Sequence, residues 1–373
     1  MNMKKGWTYK KLGDVCDIIN GKNQKKVENP NGRYPIMGSG GVMGYADDYL
    51  CLEGSTIIGR KGTINKPLYI EEKFWNVDTA FGLQPKNGNV NKFVFYLCKS
   101  IDFSLYDRGV TLPSLVKSEV LQIPILVPEP SVQSNIVSEL DHISAMIEKQ
   151  KTQLSELDKL AQSIFYDMFG DPVANEKKWV VKKLKEITIK IGSGATPRGG
   201  NQSYKEEGIS LIRSMNVHNN RFVYEDLAFI DEEQATQLNN VVIEKDDVLL
   251  NITGASVARC CIVPDDILPA RVNQHVCIIR PIKDIANPVY LNRYFTSIEE
   301  QNVLLSLSRA KAATREALPK STLESCKISL PPLWLQQKFA VKIKAIEAMK
   351  TKVEKSLTEL EQLFNSRMDY YFN

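Results

Sequence analysis

No apolar run in the sequence approaches the ~18–20 residues that a bilayer-spanning helix needs. The opening Met1-Asn2-Met3-Lys4-Lys5 leads into polar residues and not into an apolar signal core, so a cytoplasmic protein with no membrane partner is expected. The seven cysteines contain no CxxC spacing and are odd in number, which argues against a zinc knuckle and a disulfide framework. They read as reduced packing residues. Only three histidines occur, His142, His218 and His275; none has a metal-ligand spacing or an obvious nucleophile partner. A large excess of one charge is also missing: 48 Lys and Arg against 44 Asp and Glu leave +4. That balance permits a polyanionic partner without requiring one. With 43% apolar and 25% charged residues in a chain of 373, disorder is excluded and two or three domains are expected.

Catalytic signatures are missing as well. There is no G-x-x-x-x-G-K-[ST], and Gly38-Ser39-Gly40-Gly41-Val42-Met43-Gly44 fails G-x-G-x-x-G because Met43 stands at the third glycine. A DNA amino-methyltransferase needs a short acidic or amide residue, two prolines and an aromatic in line, yet Leu330 and Leu333 flank Pro331-Pro332. Pro264-Asp265-Asp266 has the opening of a nuclease carboxylate cluster, but no acid-x-lysine follows at a suitable distance. His142 reads as a helix-face residue, and His218 as a surface turn or a DNA contact. No catalytic residue and no metal ligand is assigned.

What the sequence does contain is a repeat of itself. An offset of 203 places Leu154-Ser155-Glu156-Leu157-Asp158-Lys159-Leu160 on Leu357-Thr358-Glu359-Leu360-Glu361-Gln362-Leu363, Gln133 on Gln336 and Pro128 on Pro331. Trp7 with Lys10-Lys11-Leu12 matches Trp179 with Lys182-Lys183-Leu184 at an offset of 172. The second copy therefore carries 31 more residues (203 less 172) between these markers. In between the copies diverge: residues 53–63 and 245–255 share a turn, a β-branched strand and a glycine turn, but few identities.

The conservative segments carry helical periodicity. Apolar residues recur at Ile136, Leu140, Ile143, Ile147, Leu154, Leu157, Ala161, Ile164 and Met168, broken by Gln150. The second copy repeats them at Phe339, Ile343, Ile346, Val353, Leu357, Leu360, Phe364 and Tyr371, interrupted by Lys350 and Arg367. This is a heptad seam. Prolines mark each start, Pro128 and Pro130 or Pro331-Pro332, and Gly170-Asp171-Pro172 marks the first end. Helices of this length span on the order of 55–60 Å and need a partner. The simplest partner is the repeat, in an antiparallel pair with one globular part near each end; the alternative is that each helix packs onto its own domain.

The parts between, 7–125 and 179–328, are rich in short strand-like runs such as Ser55-Thr56-Ile57-Ile58 and Val248-Leu249-Leu250. Short helices are expected at 92–99, 231–239 and 288–297. The fold class expected is α+β: two mixed α/β domains with short strands, separated by an antiparallel pair of long coiled-coil helices in an internal pseudo-two-fold repeat. The boundaries are 1–127 and 171–329 for the domains, 128–170 and 330–373 for the helices. Loops between strands combine glycine with Lys, Arg, Asn and Gln. Arg and Lys neutralise phosphate and bond guanine edges, while Asn and Gln bond adenine. The candidates are Lys22, Asn23, Gln24, Lys25, Arg60 and Lys61 in the first domain. In the second they are Arg198, Asn201, Gln202, Arg213, Asn219 and Arg221. The same residue types also make ordinary solvated turns.

Two variable domains alternating with two similar long helices resemble the specificity subunit of type I restriction-modification systems. The phrases that carry the resemblance are Trp179-Val180-Val181-Lys182-Lys183-Leu184 through Gly192-Ser193-Gly194-Ala195-Thr196-Pro197, and Ile328-Ser329-Leu330-Pro331-Pro332-Leu333 through Gln336-Gln337. The first half departs from them: Gly21-Lys22-Asn23-Gln24 replaces the Gly-x-Thr-Pro turn and Val127-Pro128-Glu129-Pro130 the double proline. The resemblance implies that each globular part is a target-recognition domain reading one half of a split double-stranded DNA sequence, with the helices as a ruler. It also implies a non-catalytic subunit that holds two modification subunits and, through them, two restriction subunits. S-adenosylmethionine, ATP and magnesium would belong to those partners, with no cofactor on this chain. Two reading heads on one spacer address the same face of a duplex ~34 Å, one helical turn, apart or at multiples of it. A stand-alone DNA-modifying enzyme and a coiled-coil adaptor without a DNA role remain the competing readings.

Overall fold

A computed structural model of the chain describes residues 6–86, 88–197, 199–310 and 316–372, with backbone alone at Asn201. It divides into two compact units: the chain up to Thr152 with the segment from Glu354 onward, and Gln153–Val353. The four segments expected from the sequence are thus regrouped. Each unit takes one globular part and portions of both long helices, because the helix faces complete the globular cores.

In the first unit, strands Cys16–Asn20, Ala80–Pro85, Ser55–Gly59 and Leu68–Ile70 form an antiparallel sheet in that order. A second sheet sets Tyr34–Gly38 between antiparallel Gly41–Ala46 and parallel Trp75–Asn76. The β-branched run Ser55–Gly59 is buried throughout. Successive side chains of a strand point to opposite faces, so Ile58 joins a core with Phe81, Phe93, Leu97, Ile136 and Leu140 while Ile57 joins another with Ile36, Phe74 and Trp75. Strand Trp7–Lys11 pairs with Pro124–Pro128, which feeds the first long helix.

The second unit has the same plan in spite of its divergent sequence. Thr188–Ser193, Val276–Pro281, Val248–Asn251 and Cys260–Ile262 make the antiparallel sheet. Ile209–Ile212 lies between antiparallel Ala228–Ile230 and parallel Ala270–Val272, and Val180–Lys183 pairs with Lys327–Leu330. The short helices occur as Asn91–Ser100, Glu232–Gln237 and Pro288–Phe295. A further helix, Ile298–Ala310, goes beyond the sequence expectation.

The long helices are Pro130–Phe169 and Leu333–Phe372. Proline is tolerated in a first helical turn, where its missing N–H would go unpaired anyway. Gly170, with φ 74°, ends the first helix by donating its N–H to Tyr166 at 2.8 Å. In each unit the helices run antiparallel. Glu139 accepts from Arg367 and Gln150 donates to Ser356 (3.3 Å) in the first unit; Lys350 meets Asp158 (2.8 Å) and Phe165 meets Phe339 in the second. The polar residues that interrupt the heptads are therefore cross-helix ties.

Of the seam residues, Ile136, Leu140, Ile143, Ile147, Leu157, Phe339, Ile343, Ile346 and Val353 are buried, and Leu154, Ile164, Leu357, Leu360 and Phe364 are half-buried. Near the end of the first helix the buried stripe runs Leu157, Ala161, Phe165 and Phe169 at steps of four. An α-helix drifts against a strict seven-residue repeat, and this end faces Tyr290 and Phe339. Ile164 is left beside the stripe. Both sequence readings hold together: Ile136 and Leu140 share a core with the first domain, and Phe339 and Ile343 with the second, while the helices also touch each other.

Candidate nucleic-acid interface

In the first unit two of the expected loops meet on one turn, 76–80. Gly21, at the end of its strand, lies so close that a β-carbon would sit 1.8 Å from the Val77 carbonyl oxygen, so only glycine fits. Lys22 donates its N–H to Asn76 (3.0 Å) and accepts from the Trp75 indole (3.0 Å). The Asn23 side chain accepts the Lys25 N–H at 3.0 Å and caps the turn Gln24–Lys26. From the other side, Arg60 and Lys61 donate their N–H groups to Thr79 at 2.8 and 3.1 Å, and the Arg60 guanidinium donates to Asp78 at 3.2 Å. Asn76 holds the turn from within, fully buried and donating to Ile19 and Ala80. Lys22, Lys25 and Lys61 are exposed and form no ion pair among the described residues. Solvated cations on loops that meet at one turn are what phosphate contact requires.

A third loop completes the cluster. Leu115 donates to Arg60 (2.8 Å) and Gly62 to Pro113 (2.8 Å), with a bridge between Lys61 and Ser114. Asp107 accepts the N–H groups of Ser114 and Gly109, which hold its carboxyl below its ordinary range.

The second unit builds the same junction. Gly194 donates to Asn273 (3.1 Å), and a β-carbon there would lie 1.7 Å from the Val272 carbonyl oxygen. Leu318 donates to Ile252 (2.8 Å), Gly254 to Glu316 (3.0 Å), and Thr253 bridges Ala317. The contacts repeat those of Leu115, Gly62 and Lys61 one for one, so the match of 53–63 with 245–255 is a structural equivalence. Here polar side chains occupy the junction. Thr196 donates to Gln274, Gln274 lies 3.1 Å from His275 Nε2, and Thr253 Oγ1 lies 2.5 Å from His275 Nδ1.

The other second-domain candidates are dispersed. Arg198 and the Asn201 side chain lie outside the described residues; Gln202 is exposed on the turn Gly200–Ser203. Arg213 donates to the Asp226 carbonyl and lies over the Tyr204 ring. Asn219 and exposed Arg221 belong to the hairpin turn between Val217–His218 and Arg221–Phe222. The Asn219 amide oxygen accepts from Cys260 N–H (3.2 Å) and Gln301 (2.9 Å), so this turn docks on a strand and a helix and does not join the Gly194 junction. Sequence reasoning missed Thr253, Gln274 and His275 because their turns lack the Gly-plus-cation composition. The 53–63 match was the signal that reaches Thr253.

Among the described residues no group of three or more His, Cys, Asp or Glu is placed to hold a metal ion, and no helix is long and apolar enough to cross a membrane. All seven cysteines are free and buried; burial pushes the Cys51 and Cys261 thiols up to about 12, which leaves them inert at neutral pH.

The model of the type I restriction modification DNA specificity domain matches the chain twice, over 4–159 and 176–362, once for each copy of the repeat. The chain belongs to this family. The specificity chain is 25% identical to the type I restriction enzyme MjaIX specificity subunit of Methanocaldococcus jannaschii, across 90% of this chain and 85% of that one. It is 22% identical to a putative type I restriction enzyme specificity subunit of Haemophilus influenzae, across 97% and 93%. Its fold is that of the type I restriction-modification system S subunit from M. genitalium, with a TM-score of 0.67 at 15% identity, covering 100% of this chain and 98% of the other.

Proposed function

We propose that the specificity chain recognises DNA through the two equivalent loop junctions, each reading one half of a bipartite target. The observation that carries this is the repeated meeting of two loops on one turn, at 76–80 and at 273–275, with a third loop bonded to the second of them and unlike side chains on the same backbone. In the first unit Lys22, Asn23, Gln24, Lys25, Arg60 and Lys61 contact phosphate and base edges. In the second, Arg198, Asn201 and Gln202 do so, as do Thr196, Gln274 and His275. Arg213, Asn219 and Arg221 contribute through phosphate at most, since Arg213 and Asn219 are engaged within their own domain.

The chain is non-catalytic in this reading. The long helices set the spacing of the half-sites, and their outward faces dock two modification subunits, through which two restriction subunits join. S-adenosylmethionine, ATP and magnesium act on those partners in the cytoplasm. The test is to exchange residues 179–328 for those of another member of the family and map methylated adenines in a host expressing the modification partner. One half of the motif should change and the other stay. A motif unchanged, or changed in both halves, sinks the proposal.

A further inference from the structure

The loop that closes the first junction carries side chains that phosphate contact does not explain. Val110 is 103% and Leu112 55% exposed, with Leu105 and Val116 exposed nearby. Single exposed apolar residues are ordinary, but four within one short segment are not. The loop is firmly built. Asp107 Oδ1 accepts from Gly109 and Ser114 at 2.7 Å each, Arg108 donates to Ser114 at 2.9 Å, and Gly62 ties Pro113 from the Arg60 loop. A β-carbon on Gly109 would lie 1.8 Å from the Leu112 carbonyl oxygen, so the tip closes on itself. The fold therefore holds two apolar side chains out in water, on a rigid tip, beside the exposed cation of Lys61.

We infer that the tip Gly109–Leu112 is a wedge that enters the base stack of the duplex, with Val110 and Leu112 inserted at one step. This rests on the reading of the Lys22 and Arg60 loops as a DNA interface. Apolar side chains that enter a base step unstack it and kink the duplex, while flanking cations hold the backbone. Duplex DNA is the favoured occupant, because the segment that follows the tip, Pro113 to Leu115, is hydrogen-bonded to the loop that carries Arg60 and Lys61. In the sequence of the second copy the offset of 203 that pairs Ser114 with Ala317 aligns Ala312-Ala313-Thr314-Arg315 with Gly109–Leu112, and none of these four is a large apolar residue. The wedge should therefore unstack one half-site alone.

The experiment uses the full chain assembled with its modification partner and a duplex of the mapped target, with 2-aminopurine at successive steps of each half-site away from the adenine that the modification partner methylates, since that base leaves the stack for its own chemistry. Binding should raise the fluorescence at one step of the half-site read by the first domain. The Val110→Ser, Leu112→Ser double variant should abolish that rise and weaken DNA binding by about tenfold, with the melting temperature unchanged because both side chains are exposed. No rise with the parent chain, or a rise that persists in the variant, overturns the wedge. Loss of the modification partner from the variant, with the rise retained, also overturns it and assigns the tip to a protein contact. Arg60→Ala with Lys61→Ala separates the two levels: weaker DNA binding in that variant beside an unaffected Val110→Ser, Leu112→Ser chain sinks the wedge alone. No loss of binding in either variant sinks the interface reading itself.

Discussion

Gln336 Oε1 accepts the backbone N–H of Asn287 at 2.8 Å while its Nε2 donates to the Pro331 carbonyl at 2.7 Å. Gln133 does the same in the first unit, accepting from Val90 (2.9 Å) and donating to Pro128 (2.9 Å). Asn287 and Val90 are the N-caps of the short helices Pro288–Phe295 and Asn91–Ser100. One buried amide in each copy thus fixes the strand end, the long helix and the short helix together, which is a physical reason for the same residue at both positions of the repeat.

Replacing Gln336 by leucine should therefore cost more than its loss of polarity suggests. The part-buried Asn287 N–H and the buried Pro331 carbonyl lose partners, at about 1–3 kcal/mol for each group left fully unsatisfied. Urea denaturation of the Gln336→Leu chain should show a transition at lower urea for the unit 153–353. An unshifted transition would mean that water replaces the amide.

Gly194→Ala and Gly21→Ala should each disturb one junction, since the added carbon would fall 1.7 or 1.8 Å from a carbonyl oxygen. Forced overpacking of this kind costs about 1–3 kcal/mol. The expected outcome is a lower melting temperature and weaker binding of DNA carrying the corresponding half-site. Gly40→Ala is the control: no atom outside its immediate chain neighbours lies within 4 Å of a β-carbon there, and its melting temperature should not move.

Glu300 predicts a pH dependence. It is 3% exposed and borders a cavity of about 400 Å3 with Tyr294 and Cys326. Burial pushes its carboxyl up to about 8, from an ordinary value of 4.5. The folded chain holds this proton to higher pH than the unfolded chain does. Its contribution to stability is therefore full below 4.5 and is lost as pH rises towards 8. Over that interval the loss amounts to about 1.4 kcal/mol for each step of one in pH. Glu300→Gln should melt above the parent at pH 8 and lose the advantage on acidification towards pH 5. Parallel melting profiles for the two chains across that range refute the assignment.

By itself the sequence determined the duplication, the two long helices and their limits. Each of these is written locally: prolines cannot continue a helix, and apolar residues at steps of three and four define a face whatever surrounds it. Even the breaks at Gln150, Lys350 and Arg367 were visible, though not their partners. Tertiary structure alone decided which loops stand together. The Lys22 and Arg60 loops meet because strand pairing brings residues 16–20 and 55–59 to either side of 80–85, while the same kind of composition at Asn219 is spent on Gln301 and Cys260. Thr253 and His275, 22 residues apart, touch only because two neighbouring strands end at the same edge. Loop convergence is a long-range property of sheet register, and residue composition within a loop carries no record of it.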